Sequence, residues 1–154
     1  MIMTLTSQTL ETLERWHLMV DEKDFSNLHE LMAPTPTFRS PIAHNAYVGS
    51  SVVCTILSAA LSTFTNFRYE RTFFCDAHNV ALEFSAEVDS KQIKGIDLIR
   101  FSNEGQIEEF EVMLRPLAAT TLFAEHMKAK VGPYLKKLEE LRQLAQPPRQ
   151  RTQQ

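Results

Sequence analysis

The strongest constraint on the fold is a change of periodicity close to residue 65. Four segments follow it, at 67–75, 80–89, 92–102 and 106–115, each mixing β-branched and aromatic residues in partial alternation. The joins Asp89-Ser90-Lys91 and Ser102-Asn103-Glu104-Gly105 read as hairpin turns, Gly105 supplying the positive φ such turns often need. Successive hairpins predict an antiparallel meander, since parallel neighbours need long crossovers. Upstream the spacing is helical. Ser7 is placed to cap a first helix carrying Leu10, Leu13, Trp16, His17 and Val20. Phe25, Leu28, Leu31 and Met32 suggest a second, short helix that Pro34 and Pro36 end. A short strand at 38–40 leads into a loop at 41–49. Ser50 then caps a third helix bearing Val52, Val53, Ile56, Leu57, Ala60 and Leu61 on its core face.

After Pro116 a helical stretch runs to about Lys130, where Gly132-Pro133 is expected to interrupt it; Tyr134, Leu135, Leu138 and Leu141 suggest a further amphipathic turn or two. The expected architecture is therefore α+β: three N-terminal helices packed on a strongly curved antiparallel sheet, plus a C-terminal helical segment. Helices across the mouth of a bent sheet leave a conical cavity. The 154 residues suit one domain, 1–145, and the polar, proline-containing stretch 146–154 is expected to be disordered.

Composition removes several function classes. A net charge of -3 offers no basic field for nucleic acid. No apolar run reaches the roughly 20 residues of a membrane span, and the first residues lack a signal-peptide pattern, so a cytoplasmic protein is expected. Cys54 and Cys75 are far apart and read as free, buried thiols. No HxH, HExxH or HxxxH pair suggests a metal, and no phosphate-cradling glycine loop or dinucleotide fingerprint occurs; no cofactor is expected.

The segment Gly95-Ile96-Asp97-Leu98-Ile99-Arg100-Phe101 is the chemically informative one. Strand alternation puts Gly95, Asp97, Ile99 and Phe101 on one face, so Asp97 stands among apolar neighbours. Leu82, Phe84, Ala86 and Val88 before it, and Phe110, Val112 and Leu114 after it, form matching apolar sets. If these faces line one concavity, desolvation raises the carboxyl pKa toward that of a proton donor. The competing reading is a carboxyl that only hydrogen-bonds a buried donor. On the other face Arg100, Met113 and Arg115, with Ile96 and Leu98, read as a dimer surface with an apolar centre and charged surround. Phe67, Tyr69, Arg71 and Phe73 share a face whose direction alternation alone leaves open.

RWHLMVDEKDFSNLHELMAPTPTFRSPIAHNAYVG followed by GIDLIRFSNEGQIEEFEVMLRP resembles the nuclear-transport-factor-2-like superfamily, most closely its SnoaL-like and ketosteroid-isomerase-like branch. The resemblance covers about residues 6–116. It implies a cone-shaped α+β barrel, a deep hydrophobic pocket for a small hydrophobic ligand, and a homodimer packed through the outer sheet face. It also implies that Asp97 matches a strand acid that hydrogen-bonds a developing oxyanion or moves protons in a ring closure. A neutral carboxyl in an apolar site of that isomerase is a known worked case of pKa tuning. Trp16 falls where the isomerases place an oxyanion tyrosine, and an indole N–H donates but cannot accept. Ser40 falls where they place a general-base aspartate, and a serine hydroxyl takes up no proton near neutral pH unaided. His44, four residues on, is the candidate replacement base, or else an exposed loop histidine. Trp16, Phe38, Ser40, Tyr47, Phe84, Ile99, Phe110, Val112 and Leu114 are the expected pocket residues, while His17 is expected to be packed or at the surface. Two functions fit: acid–base chemistry (cyclisation, isomerisation or dehydration) on a small hydrophobic carbonyl compound, or binding of such a compound without turnover. An accessory dimer acting through its outer sheet face is a third.

Overall fold

The computed structural model describes residues 4–147. The first helix, α1 (Ser7–Glu22), buries Thr9, Leu13, Trp16 and Val20 at helical spacing, while Leu10 is turned outward. Its cap is Thr6 rather than Ser7: the Thr6 hydroxyl accepts from the Thr9 N–H at 3.2 Å. The expected second helix is only one 3-10 turn, Leu28–Leu31, and strand β1 (Met32–Arg39) begins at once. Pro34 and Pro36 therefore sit inside a strand instead of ending a helix. They fall where the pairing of β1 with its neighbour shifts register between Met32 and Thr37, so the ladder does not need their missing N–H donors.

A two-residue strand β2 (Tyr47–Val48) precedes helix α2 (Ser50–Thr63), whose N-cap is Gly49 rather than Ser50. Strands β3 (Thr65–Phe74), β4 (Asn79–Val88), β5 (Lys91–Phe101) and β6 (Ile107–Arg115) form the expected meander. Asp89 and Ser90 both take positive φ, which gives β4 and β5 a tight two-residue turn. The sheet has six strands in the order β2-β1-β6-β5-β4-β3, and β1 runs parallel to β6. The all-antiparallel expectation is corrected here: the meander is antiparallel, but β1 adds a parallel neighbour, reached through α2 and four intervening strands. The sheet stays open, and its register shifts bend it around the helices.

Helix α3 (Leu117–Ala145) runs straight through Gly132-Pro133, where an interruption was expected. Its buried Ala119, Phe123, Met127 and Val131 lie one turn apart along a stripe facing α2 and the sheet. That packing outweighs a proline penalty of about 3 kcal/mol. Of the expected tail, 148–154 lie outside the described residues. Cys75 is exposed and Cys54 only partly buried, so the expectation of two buried thiols fails for Cys75.

Gly95 shows how tightly the sheet's inner face is filled. A Cβ there would meet Phe84 Cζ at 2.3 Å and Leu114 Cδ2 at 2.8 Å. Gly95→Ala must displace the buried Phe84 ring, and overpacking of this kind costs about 1–3 kcal/mol. The expected result is a lower urea midpoint with an unchanged slope; an unchanged midpoint would show that the ring moves freely.

Candidate functional site

Alternation on β5 brings Asp97 to the inner face, where it pairs in register with Leu82 on β4 and Val112 on β6. It is 5 % exposed, one of few buried polar side chains in the described residues. The helices, the sheet and their connections line a cavity beside it. The helices contribute Trp16, Ile56, Leu57, Ala60, Leu61, Phe123 and Met127; the sheet contributes Phe38, Phe67, Phe84, Phe110 and Val112; Phe64, Ser40 and Pro41 complete the wall. Asp97 is the only ionisable side chain among these lining residues. Aromatic rings dominate: Phe64 stacks on Phe123 with centroids 4.9 Å apart, and Trp16 meets Phe110 edge-on at 5.2 Å.

The carboxyl has one hydrogen-bond partner among the described residues. Tyr69 donates its hydroxyl proton to Asp97 Oδ2 at 2.6 Å, and Trp16 Nε1–H donates to the Tyr69 oxygen at 2.9 Å. Burial pushes the Asp97 carboxyl up to about 7, against a smaller opposing effect of the Tyr69 bond. Tyr69 is held well above the ordinary phenol range, first by burial and then by the Asp97 charge. His17 packs edge-on against the Tyr69 ring at 5.0 Å, and burial lowers its pKa. The site is thus a single buried carboxyl, raised by its burial, in a wall of hydrocarbon.

No family model and no curated protein matches the chain, but solved structures do. A steroid delta-isomerase from Pseudomonas aeruginosa is 40 % identical, with a TM-score of 0.83 over 88 % of this chain and 99 % of that one. A bacterial protein with a cystatin-like fold from Silicibacter pomeroyi DSS-3 is 30 % identical, with a TM-score of 0.76 over 83 % and 90 %. A nuclear-transport-factor-2-like protein from Mesorhizobium loti shares the fold at 19 % identity, with a TM-score of 0.64 over 75 % and 100 %. The chain belongs to the nuclear-transport-factor-2-like superfamily. Within it, this is a SnoaL-like domain, similar to the steroid delta-isomerase.

Several expected site residues of this SnoaL-like domain meet at the cavity: Asp97, Trp16, Phe38, Ser40, Phe84, Phe110 and Val112. Others do not. His44 is exposed and lines a separate groove with Tyr47, Leu138, Glu139 and Arg142, because the 41–46 loop turns outward before β2. Ile99 is buried in the core without reaching the cavity. Leu114 packs over Gly95, beyond the lining. Tyr47 lies in an outer groove of about 300 Å³ that shares Ser40, Ile56 and Met127 with the cavity, so it stands outside the mouth. The Ser40 hydroxyl accepts from the Ile42 N–H at 3.1 Å, a local turn contact.

Tyr69 is the residue that sequence reasoning missed. A register shift between Tyr69 and Arg71 splits the set Phe67, Tyr69, Arg71 and Phe73 between the two faces. Tyr69 pairs with Phe84 and turns inward, whereas Arg71 pairs with Glu83 and forms an ion pair with it on the outer face. Among the described residues no cluster of His, Cys, Asp or Glu is gathered to hold a metal ion, and no helix is long and apolar enough to cross a membrane.

Proposed function

We propose that the protein is an acid–base enzyme acting on a small, flat, hydrophobic carbonyl compound, with Asp97 as its proton-exchanging group. The observation that carries this reading is a single buried carboxyl, shifted upward by its burial, in an otherwise apolar cavity. A catalytic acid whose pKa lies near the working pH is populated in both forms and transfers its proton efficiently. In the neutral form Asp97 lends its proton to the substrate carbonyl oxygen as negative charge develops there, and takes it back when that charge leaves. Fixed donors in a dry site are worth several kcal/mol to such a transition state. The cavity walls select against polar substrates, because any second polar group would lose its water without gaining a partner.

The 40 % identity to a chain named steroid delta-isomerase makes a steroid ketone with a mobile double bond the first compound to test. Appearance of the conjugated ketone, followed by its ultraviolet absorbance, supports the enzyme reading if Asp97→Asn abolishes it. Binding is followed by quenching of Trp16, the only tryptophan. The position of Ser40 favours a second reading, binding without turnover: a hydroxyl engaged by Ile42 N–H stands where a base was expected, and His44 lies elsewhere. Quenching without absorbance change would select that reading.

We also propose that two copies pair through the outer sheet face. Leu98, Met113 and Phe73 are exposed there, and Arg100 pairs with Glu108 and Glu109 around them. Leu98→Glu is expected to convert a sedimenting dimer to monomer; a wild-type monomer at micromolar concentration would contradict the pairing.

A further inference from the structure

The Trp16–Tyr69–Asp97 chain has a direction, and the chemistry of its first member sets it. An indole nitrogen carries a proton and no free lone pair, so Trp16 can only donate. Tyr69 must then accept from Trp16, which leaves its own single proton for its other neighbour, Asp97 Oδ2. With Oδ2 serving as an acceptor, a proton taken up by Asp97 has one oxygen left to occupy, Oδ1. That oxygen has no hydrogen-bond partner among the described residues, and it is not sealed away, since the one fully enclosed side-chain nitrogen or oxygen without a partner there is His78 Nδ1. Asp97 lines the cavity and Tyr69 does not, so the relay enters Asp97 from behind.

We propose that Trp16 is a positioning residue that keeps the exchangeable proton of Asp97 on Oδ1, the oxygen presented to the cavity. This rests on the reading of Asp97 as the proton-exchanging group. Without the indole donor, the Tyr69 hydroxyl is free to rotate and accept from a protonated Oδ2, which withdraws the proton from the substrate side. Shape alone does not explain a tryptophan here, because a phenylalanine would fill most of the same apolar wall. His17 and Asp21 are the other titratable groups facing this chain from α1. His17 meets the Tyr69 ring by its edge and has no hydrogen bond to it, and Asp21 acts on Tyr69 only through space. Neither competes for the Tyr69 proton.

Because Trp16 is the only tryptophan, growth of an auxotroph on 3-benzothienyl-alanine replaces it alone, exchanging the indole N–H for sulfur at nearly constant shape. Infrared difference spectra across the Asp97 titration then read where the proton sits. In the native protein the neutral carboxyl's C=O accepts from Tyr69, which lowers its stretching frequency. The isostere is expected to move this band to higher wavenumber, as the C=O passes to the unpartnered Oδ1, and to raise the Asp97 titration midpoint. Tyr69→Phe provides the reference band for a carboxyl with no partner, and Asp97→Asn identifies the band by its loss. With a steroid ketone as substrate, the isostere is expected to lower kcat about tenfold or more with KM little changed. An unmoved band would overturn the proposal even if Asp97→Asn abolishes turnover. A moved band with turnover indifferent to Asp97→Asn would instead remove Asp97 from the proton-exchanging role.

Discussion

Asp97→Asn is expected to lower kcat by about 10²–10⁴, the usual worth of a positioned acid, while ligand affinity falls by about tenfold or less. The asymmetry follows from chemistry: an amide at position 97 can still hydrogen-bond a carbonyl, but it has no proton to give up. The same substitution is expected to stabilise the fold in mild alkali. The folded carboxyl titrates at about 7 against an ordinary 3.8, so between those values the folded state holds a proton that the unfolded state has lost. Stability from this group is therefore full below about pH 4, declines as pH rises through that window, and levels off above about pH 7. At about 1.36 kcal/mol per pH unit, the difference from 3.8 to about 7 is on the order of 4 kcal/mol. Asparagine removes that slope. Urea melts at about pH 5 and about pH 8 check this: the wild-type loss between them should be absent in Asp97→Asn. Parallel slopes, or equal losses of kcat and affinity, would remove Asp97 from the proton-exchanging role.

Met127→Ala is expected to have the next largest effect, with opposite signs on stability and ligand entry. The cavity measures about 30 Å³, the room of a single water and far below the roughly 300–1,000 Å³ of ligand pockets. Met127 lies in the wall between that cavity and the outer groove of about 300 Å³, together with Ser40 and Ile56. Of the three, the unbranched methionine has the most freedom to move aside. The Thr63 hydroxyl at the end of α2 lies 3.8 Å from the Met127 sulfur, and Lys130, one turn on, donates to that hydroxyl at 2.9 Å. Truncating the buried Met127 costs about 2–5 kcal/mol, read as a lower urea midpoint. It also joins the two spaces, so stopped-flow quenching of Trp16 should show faster ketone association. Slower association would show that ligands enter elsewhere.

How much of this was legible depended on whether a feature was local. Strict alternation on β5 places Asp97 among apolar neighbours, and the apolar faces of β4 and β6 carry Phe84, Phe110 and Val112, which line the cavity. The parallel pairing of β1 with β6 was not legible, because Pro34 and Pro36 read as breakers when no ladder contact shows that a register shift excuses them. Tyr69 was hidden for a related reason: one register shift inverts which face a residue occupies, and alternation cannot detect it. His44 stands only four residues beyond Ser40, and a loop can turn either way over that length. The contribution of Phe123 and Met127 depended on where α3 docks, a tertiary fact that helical spacing alone does not carry.

The most direct test of the account is the Asp97 titration itself, followed by the side-chain carboxyl ¹³C resonance in the ligand-free protein and assigned by its loss in Asp97→Asn. The account predicts a midpoint of about 7. A midpoint near the ordinary value of about 4 would contradict it, since Asp97 would then be a fixed anion at neutral pH with no proton to lend.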